Sequence, residues 1–240
     1  MMHDDQRYNL PKWPDVVLQD PLAAQYVDGI AVHWYESLDD IVTWMWGAFK
    51  RIKQTGEKYP DKFIFASEAC FGSVPTVPPF TTKGPVLGSW HRGEIYAYDI
   101  LNDLNAGVTG WNDWNLALDM QGGPSWAKNY VDAPILIDTD KKNVYYKQPM
   151  FFFMGHFSKF LPRDSVRVET QYSNPGIVGK LGMGFEPYIT SFVRPDGHLV
   201  VTVLNMGFWE KEYEIRFSGK VFSHSIEKHS IQTLLFKLDK

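Results

Sequence analysis

Three short apolar segments alternate with two helical patterns in the first half of the chain. The segments Gly29–Trp34, Lys62–Ser67 and Val108–Trp114 are predicted to be strands, the first of them buried. Apolar side chains recur at helical spacing from Leu38 to Ile52, and the stretch Ser89–Asn105 has a broad apolar face. The order strand, helix, strand, helix, strand indicates parallel strands joined by right-handed crossovers.

Turn and cap residues set the predicted limits of the two helices. Ser37 can cap the N-terminus of the first helix, and Gly56 is predicted to end it. Gly107 is predicted to end the second helix.

The residues at the strand ends favour a (β/α) barrel over a doubly wound sheet. The three strands end in His33-Trp34-Tyr35, Ser67-Glu68 and Asn112-Asp113-Trp114, which are polar or aromatic. Barrel enzymes carry their chemistry at this end of the strands, and the sequence has no glycine-rich phosphate turn. Three strands cannot close a barrel, so we expect either an incomplete barrel or one partner of an assembly.

The second half of the chain has a different pattern. Residues 120–148 are predicted to be mostly loop, and a helix is predicted from Pro149 to about Phe160. Short alternating segments separated by turns then predict an antiparallel β-sandwich. The predicted strands are residues 165–170, 188–193, 199–204, 212–217 and 231–238. We therefore expect a catalytic barrel portion at 1–162 and a partial sandwich domain at 163–240.

Composition excludes several classes of protein. A net charge of -4 gives no basic field for a nucleic acid, and no run of about 18 apolar residues predicts a transmembrane segment. The single cysteine, Cys70, allows no internal disulfide, and Met1–Asp5 lacks the apolar core of a signal peptide. The histidines show no spacing typical of metal ligands, so neither a metal nor a cofactor is predicted. Nine tryptophans fit a sugar site and a large core equally well.

Glu68 is the main catalytic candidate. A carboxylate directly after the strand that ends at Ser67 would be held rigidly and partly desolvated, as a nucleophile attacking an anomeric carbon requires. The alternative is a structural glutamate that binds loop amides. Cys70 has no evident base partner, so a catalytic thiol is disfavoured.

The other strand ends supply candidate supporting residues. Tyr35 or His33 can orient Glu68 by donating a hydrogen bond, although His33 is equally explained as a hydrogen-bonded core histidine. Trp114 can form the floor of a sugar site, and Asp113 is either a second carboxylate or a salt-bridge partner.

Four longer motifs resemble the animal glucosylceramidases of glycoside hydrolase family 30. They are Gly29-Ile-Ala-Val-His-Trp-Tyr35, Phe65-Ala-Ser-Glu-Ala-Cys70, Gly110-Trp-Asn-Asp-Trp-Asn-Leu-Ala-Leu118, and Tyr146-Lys-Gln-Pro-Met150 with Gly155-His-Phe-Ser-Lys-Phe160. The resemblance begins at Asp4-Asp5-Gln6-Arg7 and weakens at 170–187 and beyond Gly207.

The resemblance implies a (β/α)8 TIM barrel with an attached β-sandwich, and a retaining β-glucosidase that hydrolyses glucosylceramide in the lysosome. It places the nucleophile on Glu68 and glucose-binding roles on Tyr35, Trp114 and Asn129. Tyr130 stands where the family has Phe. Supporting positions are His33, Trp34, Cys70, Ser73 and Asp113. The family also implies a saposin-type activator and an anionic membrane surface as partners.

One departure from the family pattern concerns the acid/base glutamate. In the family it lies in an Asn-Glu motif on the fourth barrel strand, and no Asn-Glu pair occurs in this chain. We expect that this residue lies upstream of residue 1 and that the chain alone is weakly active or inactive. The alternatives are a non-catalytic binding module, another family 30 β-glycosidase, or a partial sequence without a stable product.

Overall fold

The computed structural model of the protein describes residues 1–35, 47–72, 83–171 and 187–238. Ser37, the predicted start of the first helix, and Ser73, a predicted site residue, lie outside these ranges. The chain forms two compact units, one of residues 1–89 with 102–151 and one of residues 90–101 with 152–240. The domain boundary expected at residue 162 stays a prediction.

The main sheet of the first unit has four parallel strands in sequence order. They are β1 (Met2–Gln6), β2 (Gly29–His33), β3 (Phe63–Glu68) and β4 (Val108–Trp111). The three predicted strands are confirmed, and β1 is an addition. The mostly polar sequence of β1 gave no strand signal, and His3 and Asp4 have the positive φ angles of 74° and 54° that strands avoid.

One side of this sheet packs against short helices. The helices are a 3-10 turn (Arg7–Asn9), α1 (Lys12–Leu18) and α3 (Ala48–Lys58), while α2 (Pro21–Ala24) contacts α1 and buries none of its residues. Alternate residues Ile30 and Val32 of β2 meet Ile52 of α3 in the core. The prediction that Gly56 ends α3 is wrong, because the helix continues to Lys58, where Tyr59 N–H still reaches the Thr55 carbonyl.

A small mixed sheet completes the first unit. It consists of β5 (Ala117–Asp119), β6 (Ile135–Asp138) and β7 (Val144–Lys147), with β5 parallel and β7 antiparallel to β6. The prediction that 120–148 is mostly loop is confirmed, although it did not include the two short strands β6 and β7. Strands of four residues are too short to show a clear alternation.

Two helices follow the predicted patterns closely. Helix α4 (Trp90–Asn105) contributes residues to both units and ends just before Gly107, which has φ +100°. Helix α5 (Pro149–Ser158) begins at Pro149 as predicted.

The second unit contains the predicted antiparallel strands. The five predicted strands are β8 (Val166–Val168), β9 (Tyr188–Val193), β10 (His198–Asn205), β11 (Lys211–Phe217) and β13 (Ser230–Lys237), and β12 (Lys220–Ile226) is an addition. One sheet has the order β13-β10-β9-β8, and β11 and β12 form a separate hairpin. Apolar residues of both sheets, such as Val201 and Ile226, share one core, so the predicted sandwich is confirmed.

Candidate active site

The carboxyl ends of the parallel strands are joined by backbone hydrogen bonds that continue beyond the regular ladders. Trp34 N–H donates to the Glu68 carbonyl at 3.2 Å, and Trp114 N–H donates to the Ala69 carbonyl at 2.9 Å. The structure therefore brings together the three strand ends on which the sequence placed its candidate residues.

Glu68 lies at the end of the β3 strand, opposite His33 of β2. Its Oε2 atom is 3.7 Å from His33 Nε2. The side chain is 17% exposed, and that of His33 is 15% exposed. The carboxylate is therefore shielded by its neighbours and still reachable from solvent.

The surroundings of Glu68 shift the pKa of its carboxyl in opposing directions. Burial raises the pKa, because desolvation disfavours the charged form. The charge of His33 and a hydrogen bond from Tyr35 lower it, and the negative charge of Asp4 raises it. Burial outweighs the opposing contributions, so the pKa of Glu68 lies above its ordinary value.

Asp4 belongs to the same cluster, although sequence reasoning did not identify it as a site residue. Its Oδ1 atom is 3.0 Å from His33 Nε2 and accepts a hydrogen bond from Ser67 Oγ at 2.7 Å. The Ser67 hydrogen bond holds the pKa of Asp4 below its ordinary value. The available signal was the Asp4-Asp5-Gln6-Arg7 segment at the start of the family resemblance.

Tyr35 and Cys70 contact each other beside Glu68. The Tyr35 hydroxyl is 3.0 Å from Cys70 Sγ. Burial raises the pKa of the Cys70 thiol to about 12, and burial followed by the Cys70 interaction raises the pKa of Tyr35. Both groups are therefore protonated near neutral pH, which fits a supporting role for Cys70 rather than that of a thiolate nucleophile.

Trp34 lies in the interior, where it connects β2 to the segment after Glu68. Its indole Nε1–H donates to the Cys70 carbonyl at 3.2 Å, and its ring meets Phe71 edge-on with 5.0 Å between centroids. With 8% of its surface exposed, Trp34 is buried and has little surface with which to contact a sugar.

Asp113 and Trp114 follow β4. Asp113 Oδ1 accepts the N–H of Asn115 at 2.9 Å and so fixes the turn after the strand. Trp114 is 53% exposed, so about half of its apolar surface is accessible to a ligand.

Asn129 and Tyr130 lie on a loop that is attached to the segment after Glu68. Asp132, which follows them, donates its N–H to the Phe71 carbonyl at 2.7 Å, and Val131 packs against Cys70 in the core. Asn129 is exposed and Tyr130 is 46% exposed. Both residues are thus tied to the Glu68 segment through the backbone of their loop.

The tight course of this loop depends on Asp119 and two glycines. Asp119 Oδ1 accepts the N–H groups of Gln121 and Gly123 at 2.9 and 2.7 Å. Gly122 has φ +89°, and a Cβ there would lie 2.8 Å from the Val131 nitrogen. Only glycine fits this position without moving the chain.

Other site types receive no support within the described parts of the chain. No group of three or more His, Cys, Asp or Glu residues there is placed to hold a metal ion. None of the helices in those parts has the length and apolar character needed to cross a bilayer. A cavity of about 910 Å³ lies in the second unit between β9 and the β11–β12 hairpin, and no predicted site residue lines it.

Two family models match almost the whole length of the chain. The Glycosyl hydrolase family 30 TIM-barrel domain matches residues 1–161. The Glycosyl hydrolase family 30 beta sandwich domain matches residues 164–234.

Individual members of the family also match this chain in sequence. The chain is 45% identical over 238 residues to the lysosomal acid glucosylceramidase of Mus musculus, and 39% identical over 241 residues to putative glucosylceramidase 4 of Caenorhabditis elegans. These matches cover 99% of this chain and 42% of each relative, so the chain spans less than half their length.

A solved structure shares the fold. The crystal structure of SrfJ from Salmonella typhimurium superimposes with a TM-score of 0.80 at 22% identity, covering 98% of this chain and 46% of that one. At this level of identity the likeness concerns the fold alone.

Proposed function

This chain belongs to glycosyl hydrolase family 30, and from that premise we propose that it carries the nucleophile of a glucosylceramidase-type retaining β-glucosidase. The family resemblance seen in the motifs and the fold class, a TIM-barrel portion followed by a β-sandwich, are both confirmed. The extents of the two family models support a domain boundary near residue 162.

One observation carries the proposal. Glu68 ends a parallel strand, and its carboxylate is partly exposed. The carboxylate lies 3.7 Å from the imidazole of His33 and has a hydrogen bond from Tyr35. A glycosidase nucleophile must be fixed in position and ionised at the moment of attack. The His33 charge and the Tyr35 hydrogen bond favour the ionised form, and the strand fixes the position.

The proposed reaction has two steps. Glu68 attacks the anomeric carbon of a β-glucoside and forms a covalent glucosyl ester, which water then hydrolyses with net retention of configuration. We propose Tyr35, Trp114, Asn129 and Tyr130 as the sugar contacts. His33, Trp34, Cys70, Ser73 and Asp113 are proposed to support the site.

A retaining mechanism also needs an acid/base carboxyl about 5–5.5 Å from the nucleophile. Because the chain has no Asn-Glu pair and spans 42% of its relatives, we propose that this carboxyl belongs to the part of those proteins that the chain does not match. Acid/base catalysis contributes roughly 10²–10⁴-fold, so we expect the 240 residues alone to have little activity.

The relatives support a proposal for the substrate and the cellular location. The mouse protein is named as a lysosomal acid glucosylceramidase, which supports β-glucosylceramide as the substrate and the lysosome as the location. A saposin-type activator and an anionic membrane surface are proposed as partners on the family resemblance alone.

A second candidate function is a non-catalytic binding module. The missing Asn-Glu pair favours it for these 240 residues taken by themselves. It predicts binding to a partner without turnover, both for the chain alone and when the remaining part of a relative is supplied.

A chimera separates the two functions. The matching 238-residue segment of the mouse glucosylceramidase is replaced by this chain, and hydrolysis of a fluorogenic β-glucoside is measured at acidic pH. We expect turnover that falls by at least about 10³-fold in Glu68→Gln, as loss of a covalent nucleophile requires. Glu57→Gln, which changes an exposed glutamate of α3, is the control and should leave turnover unchanged. Full activity in Glu68→Gln would contradict the assignment.

A further inference from the structure

The central strand β2 is flanked by two bulges. In the β1–β2 pair, His3 lies opposite Ala31 and Asp5 opposite Val32, so Asp4 is the extra residue. In the β2–β3 pair, Val32 lies opposite Ala66 and His33 opposite Glu68, so Ser67 is the extra residue. Bulges between parallel strands are rare, and they often re-aim a side chain near a functional site.

The two bulged residues contact each other across β2. Ser67 Oγ donates to Asp4 Oδ1 at 2.7 Å, and the same Asp4 oxygen is 3.0 Å from His33 Nε2. Because an ionised carboxylate can only accept hydrogen bonds, His33 Nε2 must donate to Asp4. One oxygen of Asp4 therefore accepts hydrogen bonds from Ser67, the bulged residue before Glu68, and from His33, whose imidazole faces Glu68.

The backbone of Asp4 is adapted to this position. Its φ of 54° lies in the left-handed region, which non-glycine residues seldom adopt and which Asp and Asn tolerate best. The bulged strand thus departs from regular geometry at His3 and Asp4, and the Asp4 carboxylate reaches His33 and Ser67. Such local strain is often found beside functional groups.

We propose that Asp4 is a positioning residue for the nucleophile, acting on Glu68 through Ser67 and His33; the inference rests on the proposed function. By bonding Ser67, Asp4 stabilises the bulge that sets Glu68 opposite His33. By accepting the His33 N–H at 3.0 Å, it keeps the imidazole 3.7 Å from the Glu68 carboxylate. The Glu68 oxygen is therefore close to the balancing charge of His33, while the His33 N–H is donated to Asp4 and not to Glu68.

The neighbouring aspartate supplies a matched control. Asp5 lies on the same strand, where its Oδ1 accepts the N–H of Gln6 at 2.7 Å and its Oδ2 is 3.5 Å from Asn9 Nδ2. Asp4→Asn and Asp5→Asn remove the same charge one residue apart. Asn also tolerates the left-handed backbone of position 4.

The experiment uses the mouse chimera and two readouts. One is kcat and KM for a fluorogenic β-glucoside, and the other is the rate of covalent trapping by a 2-deoxy-2-fluoro-β-glucoside, which reports attack by Glu68. We expect Asp4→Asn to lower kcat and the trapping rate about 10- to 100-fold with KM nearly unchanged, because a misplaced reacting group costs on the order of 10²-fold for 1 Å. Asp5→Asn should behave like the parent.

A second variant covers the case in which Asp4→Asn does not fold. Ser67→Ala removes the hydrogen bond between Ser67 and Asp4 by changing the donor, and it leaves Asp4 in place. The proposal therefore requires Ser67→Ala to lower kcat and the trapping rate as well. Parent-like values of a folded Asp4→Asn, or of Ser67→Ala, overturn the proposal. A parent chimera without turnover, or an active Glu68→Gln, would instead overturn the proposed function.

Discussion

The Tyr35 hydroxyl and the Cys70 thiol are 3.0 Å apart at the base of the candidate site. Cys70 is 4% exposed and shares its core cluster with Val131 and Leu136. The contact joins the end of β2 to the segment two residues beyond Glu68, so it ties a proposed sugar contact to the proposed nucleophile. The thiol acts here as a buried packing and hydrogen-bonding group.

Alkylation of Cys70 should be slow in the folded chain. The thiolate is the reactive species, and a pKa of about 12 leaves far less thiolate at pH 8 than the ordinary value of about 8.5. We expect iodoacetamide to react at least about 10³-fold more slowly in buffer than in 8 M urea. Because Cys70 is the single cysteine, the mass shift of the whole chain measures the reaction directly. Equal rates in buffer and urea would contradict the buried thiol.

Replacing His33 should move the acidic limb of the pH profile. Activity requires ionised Glu68, and it falls as the pH drops through the pKa of Glu68. The His33 charge lowers that pKa, so its loss in His33→Gln raises the pKa and shifts the acidic limb of kcat/KM to higher pH. The limb is measured with a fluorogenic β-glucoside on the mouse chimera.

The control for this prediction is His224→Gln, in strand β12 of the second unit. It removes a histidine that lies outside the Glu68 cluster and should leave the limb in place. An acidic limb that stays unchanged or moves to lower pH in His33→Gln would show that His33 does not stabilise the Glu68 carboxylate.

Much of this architecture could be predicted from local patterns. The run that became β2 is continuous, apolar and buried, β3 begins with Phe-Ile-Phe-Ala, and helix α4 shows clear periodicity before Gly107. These features depend on neighbouring residues in the chain. The polar strand ends are also a local feature, and they correctly predicted that Tyr35 and Glu68 lie close together.

The part that could not be predicted depends on pairing between strands. Strand β1 is mostly polar, and its bulge at Asp4 exists only in relation to the register of β2. The bulge at Ser67 likewise appears only when β3 is aligned with β2. A single sequence carries no signal of such register shifts, so the role of Asp4 became visible only in three dimensions.

The buried ion pair of Arg7 and Asp103 should contribute strongly to stability. Their Nη1 and Oδ1 atoms are 2.7 Å apart, and the side chains are 1% and 0% exposed. Removing one partner leaves the other charge buried, which typically costs about 3–5 kcal/mol. We expect Asp103→Asn to lower the free energy of unfolding by that amount in urea titrations.

An exposed pair on α3 supplies the comparison. Lys53 and Glu57 are 4.0 Å apart with both side chains about two-thirds exposed, so Glu57→Gln should cost no more than about 0.5 kcal/mol. The double variant Arg7→Met/Asp103→Leu should be more stable than Asp103→Asn, because no unpaired charge remains. Equal small effects of Asp103→Asn and Glu57→Gln would contradict the buried pair.

The final prediction concerns Gly122 and the loop that carries Asn129 and Tyr130. A Cβ at Gly122 would overlap the backbone of Val131, which follows those two residues, so Gly122→Ala must displace the loop. Because the loop holds proposed sugar contacts, we expect a higher KM for a β-glucoside in the mouse chimera.

Gly88→Ala is the matched control, since Gly88 has φ +78° but open space where its Cβ would lie. Both variants incur the left-handed backbone cost of about 1–2 kcal/mol, and only Gly122→Ala adds the steric overlap. A larger loss of thermal stability and a raised KM in Gly122→Ala alone would support the loop's role, whereas an unchanged KM in both variants would remove Asn129 and Tyr130 from the proposed site.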